Sequence, residues 1–143
     1  FINSHNVPLT ITEDHTYDLM QICDACLAAS GTATLETAMM ELPTVLLYRV
    51  SPITYGIGKM VVNVSHVGLP NIIAGKEVIP ELLQDEVNPK RIVATIAPLI
   101  DDESANAAMR TELCEVRHTL GEPGAVKRVA HLVYDLAKEK CNE

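Results

Sequence analysis

Apolar and polar positions in this chain switch repeatedly between a strand-like and a helical period. Asn6–Ile11 (NVPLTI) carries β-branched residues in an extended pattern. Glu13-Asp14-His15 then opens a helix to about Ile22, with Tyr17, Leu19, Met20 and Ile22 available for packing. Cys23-Asp24 breaks it, and Ala25–Ala28 is expected as a short strand. Leu35, Ala38, Met39 and Leu42 recur at helical spacing, so a helix over Thr32–Leu42 follows. Pro43 ends it, because the residue before a proline is pushed out of helical geometry. Thr44–Tyr48 (TVLLY) is a continuous apolar run, as expected of a parallel strand covered on both faces.

Beyond Arg49, Pro52 is placed to start a helix over Ile53–Val62. Val64–Leu69 has strand character, Pro70–Gly75 reads as a loop, and Ile79–Gln84 reads as a short helix. Asn88 caps a helix over Pro89–Ile100, and the Asp101–Ser104 stretch caps the next, which runs to about Thr119. Gly121-Glu122-Pro123-Gly124 separates a last helix, Ala125–Glu139. Two strand–helix alternations joined by short turns predict an α/β fold, a Rossmann-like parallel sheet with flanking helices and a helical C-terminal tail.

Composition narrows the partners. With 143 residues, 48% apolar and 21% charged, the chain has room for one domain with a proper core. Aromatics make up only 3% and there is no Trp, so Leu, Ile, Val, Ala and Met must fill that core. Nineteen acidic residues against eleven basic ones give a net charge of −8, which argues against a nucleic-acid binder. Cys23 and Cys26 have CxxC spacing, but no second pair follows, and reduced thiols acting as small apolar residues are the better reading. No signal peptide and no apolar run of membrane-spanning length is present, and the start at Phe1 is expected of a piece of a longer protein.

The candidate chemistry gathers around Ala28–Leu42. A strand, the small residues Ser30, Gly31 and Thr32, and then a helix N-terminus would present unpaired N–H groups and the positive end of a helix dipole to an anion. Arg49, at the end of the next strand, would add a fixed cation with several donors. Glu36 suits the paired hydroxyls of a ribose, and Asn71 in its loop suits an amide or hydroxyl. Together they read as a nucleotide or nucleotide-sugar pocket with no metal and no other cofactor. Taken singly, each has a plain competitor: caps at Ser30 and Thr32, a solvated Glu36, a surface ion pair for Arg49, a turn at Asn71.

The order ASGTATLE (29–36), P…LLYR (43–49) and LPNIIAGKEVIPELLQ (69–84) resembles the lipid-A-disaccharide synthase family of glycosyltransferases. The resemblance implies the C-terminal half of a GT-B enzyme, with a UDP-sugar donor domain over residues 1–100 and a helical tail over 101–143. It implies UDP-2,3-diacylglucosamine as donor and 2,3-diacylglucosamine 1-phosphate as acceptor. Ser30, Gly31 and Thr32 would take the diphosphate and Glu36 the ribose, with Arg49 and Asn71 at the diphosphate and donor sugar. The general base is expected in an N-terminal domain outside this chain, which is therefore expected to be inactive alone. The tail would pack on its own domain, cross to that partner domain, or meet a second chain in an oligomer. The implied location is cytoplasmic, at the inner face of the cytoplasmic membrane, with the apolar Ile53–Val62 helix as a candidate membrane contact. Two other readings stay open: a GT-B or epimerase-type enzyme on a related UDP-sugar, and a non-catalytic nucleotide-binding module.

Overall fold

In the computed structural model, residues 8–29, 31–51, 66–122 and 124–140 are described. The helix expected over Ile53–Val62 lies outside them, as do Ser30 and the start of the Val64–Leu69 stretch. The elements run α1 (Thr16–Ile22), β1 (Cys26–Ala28), α2 (Gly31–Met39), β2 (Thr44–Tyr48), α3 (Leu69–Ala74), β3 (Glu81–Leu83), α4 (Pro89–Asp101), α5 (Glu103–Thr119) and α6 (Ala125–Lys140). The three strands form one parallel sheet in the order β1-β2-β3. Ala28 pairs with Leu46 on one side of β2, and Tyr48 pairs with Leu83 on the other.

The central strand shows why its sequence lacks a polar face. Leu46 packs with Ala38 of α2, Ile79, and Leu113 and Val116 of α5. Val45, its neighbour on the opposite face, packs with Leu82 of β3 and Leu99 of α4. Alternate side chains of β2 thus enter two separate cores, and Met109 of α5 touches both. A helix over each face leaves the ends of the strands as the places where the chain turns.

The helix ends follow local chemistry. Asn88 accepts from the Arg91 N–H at 3.0 Å, and Asp102 accepts from Ser104 and Ala105, so both act as N-caps. At the other end of α2, Glu41 sits at φ 53. The Glu41 N–H reaches the Ala38 carbonyl at 3.0 Å, and the Leu42 N–H reaches that of Thr37 at 2.9 Å. That is a Schellman closure with glutamate where glycine is usual. Two arginines of α5 hold it: Arg110 on the Glu41 carbonyl at 3.1 Å and Arg117 on its carboxylate at 2.8 Å.

Two segments differ from the expectation of the sequence. Leu69–Ala74 is helix, not a loop, with Pro70 in its first turn and Gly75 closing it at φ 66. Glu81–Leu83 is a strand, not part of a helix over Ile79–Gln84. The run is too short to propagate a helix by itself, and the free edge of β2 offers it a ladder instead. At the far end of the chain, α6 leaves Val126, Val129, Leu132, Val133 and Leu136 exposed. Among the described residues, no helix is long and apolar enough to cross a membrane.

Candidate functional site at the carboxyl edge of the sheet

Parallel strands give a sheet one carboxyl edge, and three segments leave it here. After β1 the chain enters α2, whose first residue is Gly31. After β2 comes the exposed Arg49, and after β3 comes Gln84. Since Tyr48 and Leu83 are register partners, Arg49 and Gln84 emerge side by side.

The helix α2 divides its side chains cleanly. Thr34, Thr37 and Ala38 are buried. The Thr34 hydroxyl donates to the Gly31 carbonyl at 2.6 Å and that of Thr37 to the Thr34 carbonyl at 3.0 Å, so neither is offered to a ligand. Thr32 is exposed and Glu36 half-buried, one turn apart on another stripe of the helix. Among the described residues, neither the Glu36 nor the Arg49 side chain has a hydrogen-bond or ion-pair partner. At Gly31 an added Cβ would stand 3.7 Å from the Val67 carbonyl, which is ordinary contact. The 66–68 segment therefore lies against the first residue of α2.

Asn71 departs from its expected role. It is wholly buried in α3 rather than open in a loop. Its amide donates to the Ile79 carbonyl and to a Glu81 carboxylate oxygen, each at 2.8 Å. Its Oδ1 accepts from the Val78 and Ile79 N–H groups at 2.7 and 2.9 Å. Those are the four hydrogen bonds a carboxamide can make, so none is left for a ligand. The residue staples α3 to the entry of β3.

Glu81 extends that staple toward the edge. Its carboxylate accepts from the Val67 N–H at 2.9 Å and the Gly68 N–H at 2.8 Å, two amides just ahead of α3. It thus fixes the segment that borders Gly31. A single acid inside the apolar run Val78–Leu83 was the signal in the sequence for this partnership.

Gln84 is the other residue that sequence reasoning passes over. Its backbone sits at φ 50, uncommon for a residue with a side chain. Its Nε2 is buried and has no hydrogen-bond partner among the described residues. An unmatched buried amide costs about 1–3 kcal/mol.

Fold and edge together define a class: a Rossmann-like parallel α/β domain, the type whose ligands gather beyond the carboxyl ends of the strands. Sequence comparison then supplies the family. The family described as lipid-A-disaccharide synthetase matches residues 2–134, and the chain belongs to it. The lipid-A-disaccharide synthase of Geobacter sulfurreducens is 44% identical over 128 residues, covering 90% of this chain and 33% of that protein. Those of Nitrosococcus oceani and Persephonella marina are 38% and 42% identical, over 92% and 94% of this chain and 34% and 37% of their own lengths. The chain thus spans about a third of the length of these relatives.

Proposed function

We propose that this chain is the donor-binding part of a GT-B glycosyltransferase that makes the lipid A disaccharide. The enzyme would transfer 2,3-diacylglucosamine from UDP-2,3-diacylglucosamine to 2,3-diacylglucosamine 1-phosphate, releasing UDP. The observation that carries this reading is the family match across residues 2–134. The edge geometry supports it, because α2 and Arg49 follow parallel neighbouring strands at one edge and the Arg49 and Glu36 side chains are unengaged among the described residues.

In the reaction, an acceptor hydroxyl attacks the anomeric carbon while the bond from that carbon to the diphosphate oxygen breaks. The electron pair leaves with UDP, and the hydroxyl proton passes to a base outside this chain. Negative charge therefore grows on the diphosphate. The α2 N-terminus at Ser30, Gly31 and Thr32, together with Arg49, would stabilise it with fixed dipoles and one cation, without a metal. Glu36 would accept from the ribose hydroxyls. Asn71 would act through the staple rather than by contact, since its hydrogen bonds are filled.

The remaining two-thirds of such an enzyme would contain the N-terminal domain with the acceptor side and the base. The exposed stripe of α6 offers that domain, or a second copy, an apolar surface to cover. With acylated substrates, the enzyme would work in the cytoplasm at the inner face of the membrane.

The test is an assay of the full-length gene product with both lipid substrates, following disaccharide and UDP. Arg49→Ala should lower kcat by ~100-fold, the scale of losing one group that stabilises transition-state charge. A wild-type product that ignores the diacylated donor but turns over UDP-N-acetylglucosamine would overturn the substrate assignment.

A further inference from the structure

Three features of Gln84 coincide. Its carboxamide nitrogen is closed off from solvent and has no partner among the described residues. Its backbone takes a left-handed conformation that Gly or Asn adopts more readily. It stands immediately after β3, beside Arg49, at the one edge where all three strands end.

Neither cost is explained by the fold. The three-residue turn Gln84–Glu86 needs only the Gln84 carbonyl, which accepts from the Val87 N–H at 3.1 Å. An apolar side chain would fill the same space without an unmatched donor. Backbone strain and an unsatisfied buried donor at the same residue are what a binding position retains when its partner is a ligand.

We propose that Gln84 is a further donor-binding residue, its carboxamide donating a hydrogen bond to a diphosphate oxygen of the nucleotide that Arg49 also holds. This rests on the donor-site reading above. An amide suits the position because it adds a donor without a second positive charge. It would help to orient the diphosphate while Arg49 supplies the charge. Ligand-free, the donor is idle. With the nucleotide in place, a turn of the side chain toward the edge would bring the amide to an oxygen.

The experiment is calorimetric titration of UDP into the full-length gene product, with a thermal melt of each variant. Wild type, Gln84→Leu, Gln84→Met and Glu36→Ala are compared. Gln84→Leu and Gln84→Met should each weaken UDP binding by at least ~10-fold, with Tm unchanged or raised because an unmatched polar group has gone. If both bind UDP within twofold of wild type while Glu36→Ala loses affinity, the site stands and the role of Gln84 is refuted. That role is refuted equally if both variants melt lower with unaltered affinity, which would mark the amide as a structural group bridged by buried water. If wild type fails to bind UDP at all, the donor-site reading falls and this proposal with it.

Discussion

Single side chains here take roles that their residue type does not advertise. Asn71 is the clearest. Its removal leaves the Val78 and Ile79 N–H groups, the Ile79 carbonyl and a Glu81 oxygen short of a partner in a buried place. At about 1–3 kcal/mol for each unmatched buried group, Asn71→Leu should remove several kcal/mol, a large fraction of a domain's stability. Asn71→Asp should be no gentler, because an oxygen would replace the donor that faces the Ile79 carbonyl and the Glu81 carboxylate. Chemical denaturation of the full-length product checks both. Loss of less than about 1 kcal/mol, no more than a single typical hydrogen bond, would show that the network is dispensable.

Cys23 and Cys26 behave differently from one another. Cys23 is exposed, while burial, and secondarily the neighbouring Cys23, pushes the Cys26 thiol above its ordinary pKa of 9.0. The folded protein therefore keeps the Cys26 proton in a range where the unfolded chain loses it. Stability from this group is complete below the ordinary thiol pKa and declines as pH rises through the raised one. Cys26→Ala should flatten that alkaline decline. A thiol reagent near neutral pH should label Cys23 well before Cys26, as mass spectrometry of timed samples would show; equal rates would contradict the difference in environment.

At the scale of elements, Glu81 is a strand residue that completes the start of a helix. Glu81→Gln would set an amide N–H against the donors at one of the two carboxylate oxygen positions and loosen the segment beside Gly31. Hydrogen exchange at those two amides should accelerate by at least ~10-fold while β2 amides keep their protection, as expected of a local opening. Uniform exchange across the sheet would show that the effect is global rather than local.

The same scale explains what was legible in the sequence. TVLLY has one reading, because four consecutive apolar residues after Thr44 cannot leave a face to water. The caps at Asn88 and Asp102 are local chemistry and follow from neighbouring residues alone. Ile79–Gln84 is ambiguous by period, and its state is decided by the edge of β2, where Leu46 pairs with Glu81 across a long stretch of chain. Pro70 fits a loop and a helix start equally well until Glu81 is seen capping the amides ahead of it. Asn71 and Gln84 mark the limit most plainly. The sequence shows two amides near the site, but only the packing shows that Asn71 has its four hydrogen bonds filled and that the Gln84 donor is unmatched.

On the scale of the whole molecule, the two cores hold α2, β2 and β3 in one arrangement, and the carboxyl edge is what that arrangement presents. Leu46 lies at the centre of one core, in contact with the α2 and α5 layer. Leu46→Ala should cost about 2–5 kcal/mol by cavity formation and weaken the edge only through lost folding. Substitutions at Glu36 and Arg49, by contrast, touch exposed or half-buried side chains and should leave the melt almost unmoved. That separation of stability from binding is the signature expected of a site laid on a finished fold.

The nucleotide diphosphate is expected to bind where α2 begins and Arg49 emerges, and every role proposed for the edge depends on it. UDP titration of the full-length gene product, comparing wild type with Arg49→Ala, measures this most directly. Saturable binding is expected in wild type, weakened at least ~10-fold in the variant at equal Tm, as befits loss of a charge-assisted contact. Equal UDP affinity in the two proteins would contradict a diphosphate site at this edge.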